Sequence, residues 1–213
     1  MSVEERLVPT PLGDARLLVD AASDPQATLV LGPGAGGGAR ARDLAVLAAD
    51  LPAAGVTVVR LEHPWRVAGR RVAPRPALLD EGWLAALPSI DVAGALVLGG
   101  RSSGARVACR TAVQLGAAGV VCLAFPLHPP GRPERSRFDE LARSGVPTLV
   151  VQGERDSFGP PSEFPPGRYE MVPVPQADHG MAVPKSQDQA AALKGVVSAV
   201  TAWFGNALGV SLR

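Results

Sequence analysis

Cysteine and lysine are scarce in this chain. The 213 residues include only two cysteines, Cys109 and Cys122, and only two lysines, Lys185 and Lys194. Both cysteines lie among apolar residues, so we expect two buried, reduced thiols rather than a disulfide. Two cysteines are also too few for a zinc site built on cysteine alone. Arginine is abundant instead, and we interpret this bias as genomic composition rather than as a binding site.

An excess of charge of one sign is also missing. The formal net charge of +1 argues against the strong general attraction on which non-specific nucleic-acid binding usually relies. No apolar run is long enough to span a bilayer, and residues 1–6 lack the basic and apolar regions of a signal peptide. We therefore expect a cytoplasmic protein with neither a membrane nor a nucleic acid as its partner.

The residues that are present indicate one α/β domain. A length of 213 residues with 46% hydrophobic content suits a single domain over residues 1–213. Several short segments are almost continuously apolar, which is typical of parallel strands buried on both faces. These predicted strands are residues 28–31, 56–61, 96–99, 120–123 and 147–152.

Segments with helical spacing of apolar residues separate these strands. Residues 44–51 carry apolar side chains on one face, which predicts an amphipathic helix. A second helix begins at Ser103 and is expected to end near Gly116. The last helix is expected over residues 187–204, with Gly195 as its weak point.

The N-terminal segment has a different pattern. Residues 6–9 and 15–19 flank a turn-forming group at residues 11–14, which predicts an antiparallel hairpin at one edge of the sheet. Together these patterns predict a three-layer fold with a mostly parallel sheet. The segment between Leu123 and Pro147 is too short for a large cap domain.

The motif Gly-Arg-Ser-Ser-Gly at residues 100–104 fits the G-x-S-x-G pattern of a nucleophile elbow. It directly follows a predicted strand and precedes a predicted helix, which is the context that the motif requires. We therefore predict that Ser102 is a nucleophile. Ser103 is predicted to contribute its backbone N–H, at the helix N-terminus, to an oxyanion hole.

A glycine-rich loop at residues 32–38 is expected to supply the second oxyanion donor. The Ala35 N–H is the first candidate for this role and the Gly36 N–H is the second. The loop lacks the Gly-Lys-Ser/Thr ending of a phosphate-binding P-loop. Pro33 also shifts the loop out of register with the G-x-G-x-x-G motif of dinucleotide-binding proteins. A flexible strand-to-helix connection is the structural alternative.

Activation of a serine needs a histidine base and a carboxylate that orients it. His179 follows a strand-like segment and precedes the last helix, so we predict that it is the base. Asp156 is predicted to be the acid, because it falls in the loop after a buried strand. Glu154 is the reserve, whereas Asp178 is too close in sequence to His179 to orient its ring easily.

Two loops rich in proline and arginine, residues 64–76 and 126–137, follow predicted strands at their C-terminal ends. Open α/β sheets bind ligands at this edge, so His63, His128 and Arg101 are candidates for lining a pocket. The arginines of the loops either favour an anionic substrate or are solvated charges on exposed loops. The alternative for His63 and His128 is a purely structural role.

Four sequence blocks carry a resemblance to a known family. The chain resembles the small α/β-hydrolases of the dienelactone-hydrolase-like type, within them a group related to a subunit of the non-specific-lethal chromatin complex. The blocks are residues 34–37, 99–108, 125–134 and 151–159, followed by Ala-Asp-His at 177–179. The third block, Phe-Pro-Leu-His-Pro-Pro-Gly-Arg-Pro-Glu, is the most specific of them.

The resemblance implies an α/β-hydrolase fold with Ser102, Asp156 and His179 at the triad positions and with no metal or organic cofactor. This chain has Pro33 where relatives usually carry histidine, and a serine where dienelactone hydrolases proper use a cysteine nucleophile. Their substrate is therefore not carried over to this chain.

Two functions follow from these observations. The first is a serine hydrolase, similar to a carboxylesterase, that acts on a small or exposed ester or thioester as its small-molecule substrate. The second is a non-catalytic binding or scaffold protein that retains the hydrolase fold. Intact triad residues favour the first function, whereas Pro33 in the oxyanion loop is compatible with the second.

Overall fold

The computed structural model describes residues 3–212 of the chain. Met1, Ser2 and Arg213, which include both ends of the predicted domain, lie outside the described residues. Eight strands of the described part form one sheet in the order β1-β2-β4-β3-β5-β6-β7-β8. They are β1 Glu4–Thr10, β2 Gly13–Asp20, β3 Ala27–Gly32, β4 Val56–Glu62, β5 Ala95–Arg101, β6 Gly119–Leu123, β7 Thr148–Gly153 and β8 Glu170–Val174.

The central strands follow the apolar runs of the sequence. Strands β3 to β8 pair in parallel, and every residue of β3, β6 and β7 is buried. Helices on both sheet faces exclude water from these strands, which is why most side chains on both faces are apolar. The predicted parallel sheet is confirmed.

The N-terminal hairpin is also confirmed. Strands β1 and β2 pair antiparallel from Glu4 opposite Val19 to Thr10 opposite Gly13. Strand β2 then pairs antiparallel with β4, so the hairpin forms one edge of the sheet. The Thr10 hydroxyl donates to the Gly13 carbonyl at 2.6 Å and closes the turn.

Six α-helices of the described part cover the two faces of the sheet. They are α1 Arg42–Asp50, α2 Pro64–Val67, α3 Pro76–Ala86, α4 Ser103–Thr111, α5 Phe138–Ala142 and α6 Gln189–Leu208. Leu47 of α1 and Phe204 of α6 belong to the core on one face, whereas Trp83 of α3 and Val107 of α4 belong to the core on the other. The fold therefore has three layers, as predicted.

Three helix ends differ from the sequence-based expectation. Helix α4 ends at Thr111, well before Gly116, because residues 112–116 continue as turns in which the Gly116 N–H donates to the Val113 carbonyl at 3.2 Å. Helix α6 begins at Gln189 rather than at residue 187, since the Asp188 side chain accepts from the backbone N–H groups of the first turn. It ends four residues later than expected, before Gly209 at φ 63°.

Three further expectations concern the state of the cysteines, membrane-spanning helices and a cap domain. Cys109 and Cys122 are buried and free, as predicted, with their sulfur atoms 3.5 Å apart. Within residues 3–212, no helix combines the length and the apolar character that crossing a membrane requires. Between β6 and β7, the described chain has a single short helix, α5, and no large cap domain.

Candidate active site

Ser102 occupies the sharp turn between β5 and α4. Its backbone has φ 54° and ψ −113°, a region that residues with a side chain rarely adopt. The Ser102 N–H donates to the Leu123 carbonyl of the neighbouring strand at 3.0 Å, which holds this conformation. The turn presents the Ser102 hydroxyl at the carboxyl edge of the sheet.

The two glycines of the motif allow α4 to lie directly against β3. A Cβ atom at Gly104 would lie 2.1 Å from the Gly32 carbonyl oxygen, and one at Gly100 would lie 2.4 Å from the same atom. Both distances are far inside van der Waals contact. The pattern of small residues around Ser102 is therefore required by backbone packing as well as by the turn.

His179 reaches the serine from the loop that follows β8. Its Nε2 atom lies 3.0 Å from the Ser102 Oγ atom. The ring stacks on Phe158, with centroids 4.1 Å apart and an interplanar angle of 27°. Because stacking fixes the ring plane, Nε2 is held toward the serine.

Asp156 orients the imidazole from the opposite side. Its oxygens lie 2.8 and 3.0 Å from His179 Nδ1, and since a carboxylate accepts, Nδ1 carries the proton. Asp156 also accepts from the Gln152 side-chain amide at 2.9 Å and from the Phe158 N–H at 2.8 Å. Only 1% of Asp156 is exposed, so the protein rather than water positions its carboxylate.

The two other acids considered near this loop do not contact the imidazole. Glu154 is exposed and accepts from the Gln176 N–H at 3.0 Å. Asp178 accepts from the Gly180 N–H at 2.7 Å and holds the turn just after the histidine. The structure thus brings together Ser102, His179 and Asp156.

Ser102 and His179 border a cleft of about 420 Å³, and Asp156 is buried behind the imidazole. The candidate oxyanion donors border the same cleft. The Gly37 N–H donates to the Gly34 carbonyl at 3.1 Å, which makes the glycine-rich loop a tight turn. The Ser103 hydroxyl donates to the Pro33 carbonyl at 3.4 Å and braces the glycine-rich loop. The lining residues are Gly34, Ala35, Gly36, Arg101, Ser102, Ser103, Arg106, Pro126, Arg137, Phe158 and His179.

Arg101 borders this cleft and also fastens the histidine loop. Its Nη2 donates to the His179 carbonyl at 2.8 Å, and its Nε lies 3.3 Å from Asp43 Oδ2. Asp43 is fully buried in the first turn of α1. Burial raises the pKa of Asp43, and the Arg101 guanidinium opposes that rise. The ion pair therefore ties α1 to the loop that carries the imidazole.

The structure does not place His63 or His128 among the residues that line the cleft. His63 is buried 6.1 Å from the Trp83 ring and borders a separate cavity of about 290 Å³. Burial lowers the pKa of His63 to about 4. The His128 ring is held by the Pro129 carbonyl at 2.9 Å and by Glu163 at 2.6 Å. Both rings turn away because local contacts hold them elsewhere.

Sequence reasoning did not identify Phe158, Gln152, Asp43 or Arg106 as parts of this region. Gln152 and Asp43 carry a detectable signal, because each is a polar residue in an otherwise apolar strand or helix face. Phe158 and Arg106 lack such a signal. Their positions depend on the path of a loop and on the packing of α4.

Comparisons with known proteins agree with this fold. The family model described as alpha/beta hydrolase domain matches residues 25–205. A search of curated proteins finds no match.

Three solved structures illustrate the likeness in fold. An alpha-beta serine hydrolase homologue from Coxiella burnetii is 20% identical, with a TM-score of 0.73 over 93% of this chain and 97% of that chain. A member of the α/β serine hydrolases without a lid, from Xanthomonas campestris, is 18% identical, with a TM-score of 0.68 over 95% of each chain. Est1E from Butyrivibrio proteoclasticus, solved with ferulic acid bound, is 13% identical, with a TM-score of 0.72 over 94% of this chain and 100% of that chain. At these identities the likeness shows the fold.

Proposed function

Because this chain belongs to the alpha/beta hydrolase domain family, we propose that it is a serine hydrolase, similar to a carboxylesterase, for a small or exposed ester or thioester. One observation carries the proposal. Ser102 and His179 at the wall of the cleft form a continuous hydrogen-bonded chain with the buried Asp156 behind them. Such a chain gives a weakly nucleophilic hydroxyl the base that it needs.

In this mechanism Ser102 Oγ attacks the acyl carbonyl while His179 Nε2 takes the hydroxyl proton. Asp156 keeps the imidazole in the correct tautomer and stabilises the imidazolium that forms. His179 then gives the proton to the leaving alcohol or thiol. Water, activated by the same imidazole, hydrolyses the acyl-enzyme and regenerates the serine.

The negative charge on the carbonyl oxygen needs hydrogen-bond donors. We assign this role to the backbone N–H of Ser103, at the N-terminus of α4, and to that of Ala35, with Gly36 as the alternative. All three residues line the cleft beside the serine. Each such donor typically contributes about 3 kcal/mol to stabilisation of the transition state.

The size of the cleft bears on the substrate. A volume of about 420 Å³ suits small acyl groups, and α5 is the one helix in the described chain between β6 and β7. We therefore propose short or partly exposed acyl groups rather than long buried chains. Within the family, we also propose the dienelactone-hydrolase-like group related to the non-specific-lethal complex subunit, which the block at residues 125–134 favours.

A fluorophosphonate probe tests the nucleophile. We expect covalent labelling of the wild type and none of Ser102→Ala, because the probe reacts only with an activated serine. The variant should also lose about 1000-fold or more in kcat/KM on a series of p-nitrophenyl esters of increasing acyl length. Ser198→Ala, at an exposed position of α6, is the matched control.

Two results would contradict this assignment. A folded wild type that is neither labelled nor active on the esters would favour the binding or scaffold function instead. Labelling that persists in Ser102→Ala and disappears in Ser103→Ala would move the nucleophile by one residue.

A further inference from the structure

The ionised side chains around the cleft are all arginines. Arg101, Arg106 and Arg137 line it, and the described residues of its lining include no aspartate or glutamate. This contrasts with the whole chain, whose formal net charge is only +1. The cleft is therefore a local concentration of basic groups next to Ser102.

Two of the three arginines are neutralised by carboxylates outside the lining. Arg101 pairs with the buried Asp43 at 3.3 Å. Arg106 Nε lies 3.1 Å from both oxygens of Glu140. Neither guanidinium is therefore a free charge.

Arg137 differs from both. Its guanidinium donates to the Pro126 carbonyl at 3.3 Å, and no carboxylate of the described chain lies within ion-pairing distance of it. Glu140 lies next to it in space but contacts Arg106 and Arg110. This leaves Arg137 as a cation at the cleft without an anionic partner of its own.

A count of the surrounding charges gives the same result. The charged side chains connected to Arg137 and Glu140 are three arginines and two acids, which leaves one positive charge in excess. They are Arg106, Arg110, Arg137, Asp80 and Glu140. Burial and the like charge of Arg106 lower the pKa of Arg137, so its cationic form is destabilised where it lies. A bound anion would relieve this destabilisation.

The position of Arg137 is also well defined. Its backbone N–H donates to the Leu127 carbonyl at 2.7 Å, and α5 begins at the next residue. These contacts fix the backbone from which the side chain extends, and its guanidinium presents a planar fork of donors that matches a carboxylate.

We propose that Arg137 binds a carboxylate of the substrate, so that the enzyme prefers acidic esters over neutral ones of the same size. The inference rests on the proposed hydrolase function. The carboxylate belongs either to the acyl part or to the leaving alcohol, and Arg137 recognises the same chemistry in both.

Two pairs of substrates distinguish these sources. The acyl pair is the mono-4-nitrophenyl ester of adipic acid and its neutral methyl ester. The alcohol pair is 4-acetoxybenzoate and its methyl ester. After subtraction of spontaneous hydrolysis, we expect kcat/KM of the acidic member of at least one pair to exceed that of the neutral member by about 10-fold, the gain of one charge-assisted hydrogen bond.

Variants at position 137 test whether Arg137 causes the preference for acidic esters. Arg137→Gln should abolish the roughly 10-fold preference, mainly by raising KM for the acidic ester, and Arg137→Lys should retain part of it. Arg135→Gln removes the same charge from the same loop and is the matched control, because Arg135 is exposed and outside the cleft lining. The preference is a ratio within one protein, so a loss of folded material does not change it.

The outcomes separate the two proposals. If neutral esters are cleaved but acidic members have no advantage in either pair, the carboxylate inference is wrong and the hydrolase function stands. If Arg135→Gln and Arg137→Gln reduce the preference equally, the general field rather than Arg137 is responsible, and the inference is also wrong. If no ester is cleaved and no fluorophosphonate label is bound, the hydrolase function itself fails.

Salt provides a second measurement that needs no variant. At about 1 M salt, screening acts over roughly 3 Å, so a preference that depends on charge must shrink in the wild type. A preference that is unchanged by salt would contradict binding through a cation at the open cleft. If Arg137→Gln does not fold, this measurement still tests whether the preference depends on charge, and Arg137→Lys compared with Arg135→Gln tests whether Arg137 is responsible.

Discussion

At the scale of single residues, His63 is a buried histidine whose protonation opposes folding. Burial lowers its pKa from 6.5 to about 4, partly opposed by Asp80. Between these two values the unfolded chain binds a proton that the folded protein does not, so stability falls as the pH falls through this window. The loss from this residue is about 2 kcal/mol between pH 7 and pH 5. We expect His63→Gln to be less sensitive to acid by that amount, measured by urea unfolding at both pH values.

His128→Gln is the control for this prediction. Hydrogen bonds from the His128 ring to the Pro129 carbonyl and to Glu163 raise the pKa of His128. Its protonation therefore stabilises the folded state below the unfolded pKa, and this contribution is lost as the pH rises. The His128→Gln variant should lose more stability on acidification than the wild type. Equal acid sensitivity in His63→Gln and the wild type would contradict a buried neutral His63.

At the scale of elements, two helices contain glycines with opposite roles. Gly104 in α4 lies against the backbone of β3, whereas Gly195 in α6 is exposed, and a Cβ atom there would meet nothing within 4 Å. Gly195→Ala should stabilise the protein by about 0.5 to 1 kcal/mol, because alanine loses less backbone entropy in a helix. Gly104→Ala should destabilise it by about 1 to 3 kcal/mol, because α4 must move away from β3. Chemical denaturation measures both changes.

The same pair of variants tests whether α4 positions Ser102, the proposed nucleophile. Since Ser102 immediately precedes α4, a displaced helix should slow fluorophosphonate labelling in Gly104→Ala and leave Gly195→Ala as reactive as the wild type. Equal reactivity and equal stability in the two variants would mean that the close contact between α4 and β3 does not hold the elbow.

At the scale of the whole molecule, one sheet separates two cores. Trp83 lies in the core on one face and Trp203 in the core on the other, and both are almost completely buried. Since β3 to β7 contribute side chains to both faces, we expect the two cores to unfold together. This expectation follows from our proposal of a single domain over residues 1–213.

Single-tryptophan proteins test this coupling. Trp65→Phe combined with Trp203→Phe leaves Trp83 as the reporter, and Trp65→Phe combined with Trp83→Phe leaves Trp203. In each protein, the fluorescence transition in urea should coincide with the far-UV circular dichroism transition. A fluorescence midpoint that precedes the circular dichroism midpoint in one protein only would show that its face unfolds separately.

Much of the fold is visible in the sequence because the responsible patterns are local. The apolar runs at β3 to β7, the turn residues before Gly13 and the small residues around Ser102 act on neighbouring backbone, and short segments record them. The sequence predicts the ends of α4 and α6 less accurately. They depend on the Asp188 cap and on turns after Thr111, which compete with helix continuation by small differences in free energy.

The candidate site likewise has features that the sequence predicts and features that only the tertiary structure decides. The amino-acid pattern predicts the elbow and places Asp156 and His179 at the carboxyl edge of the sheet, since each follows a predicted strand and parallel strands end at the same edge. Only the three-dimensional packing brings Asp156 rather than Glu154 to His179, turns His63 and His128 away from the cleft, and leaves Arg137 without a carboxylate. Such contacts join loops that are far apart in the chain, and the direction of each side chain depends on all of its neighbours at once.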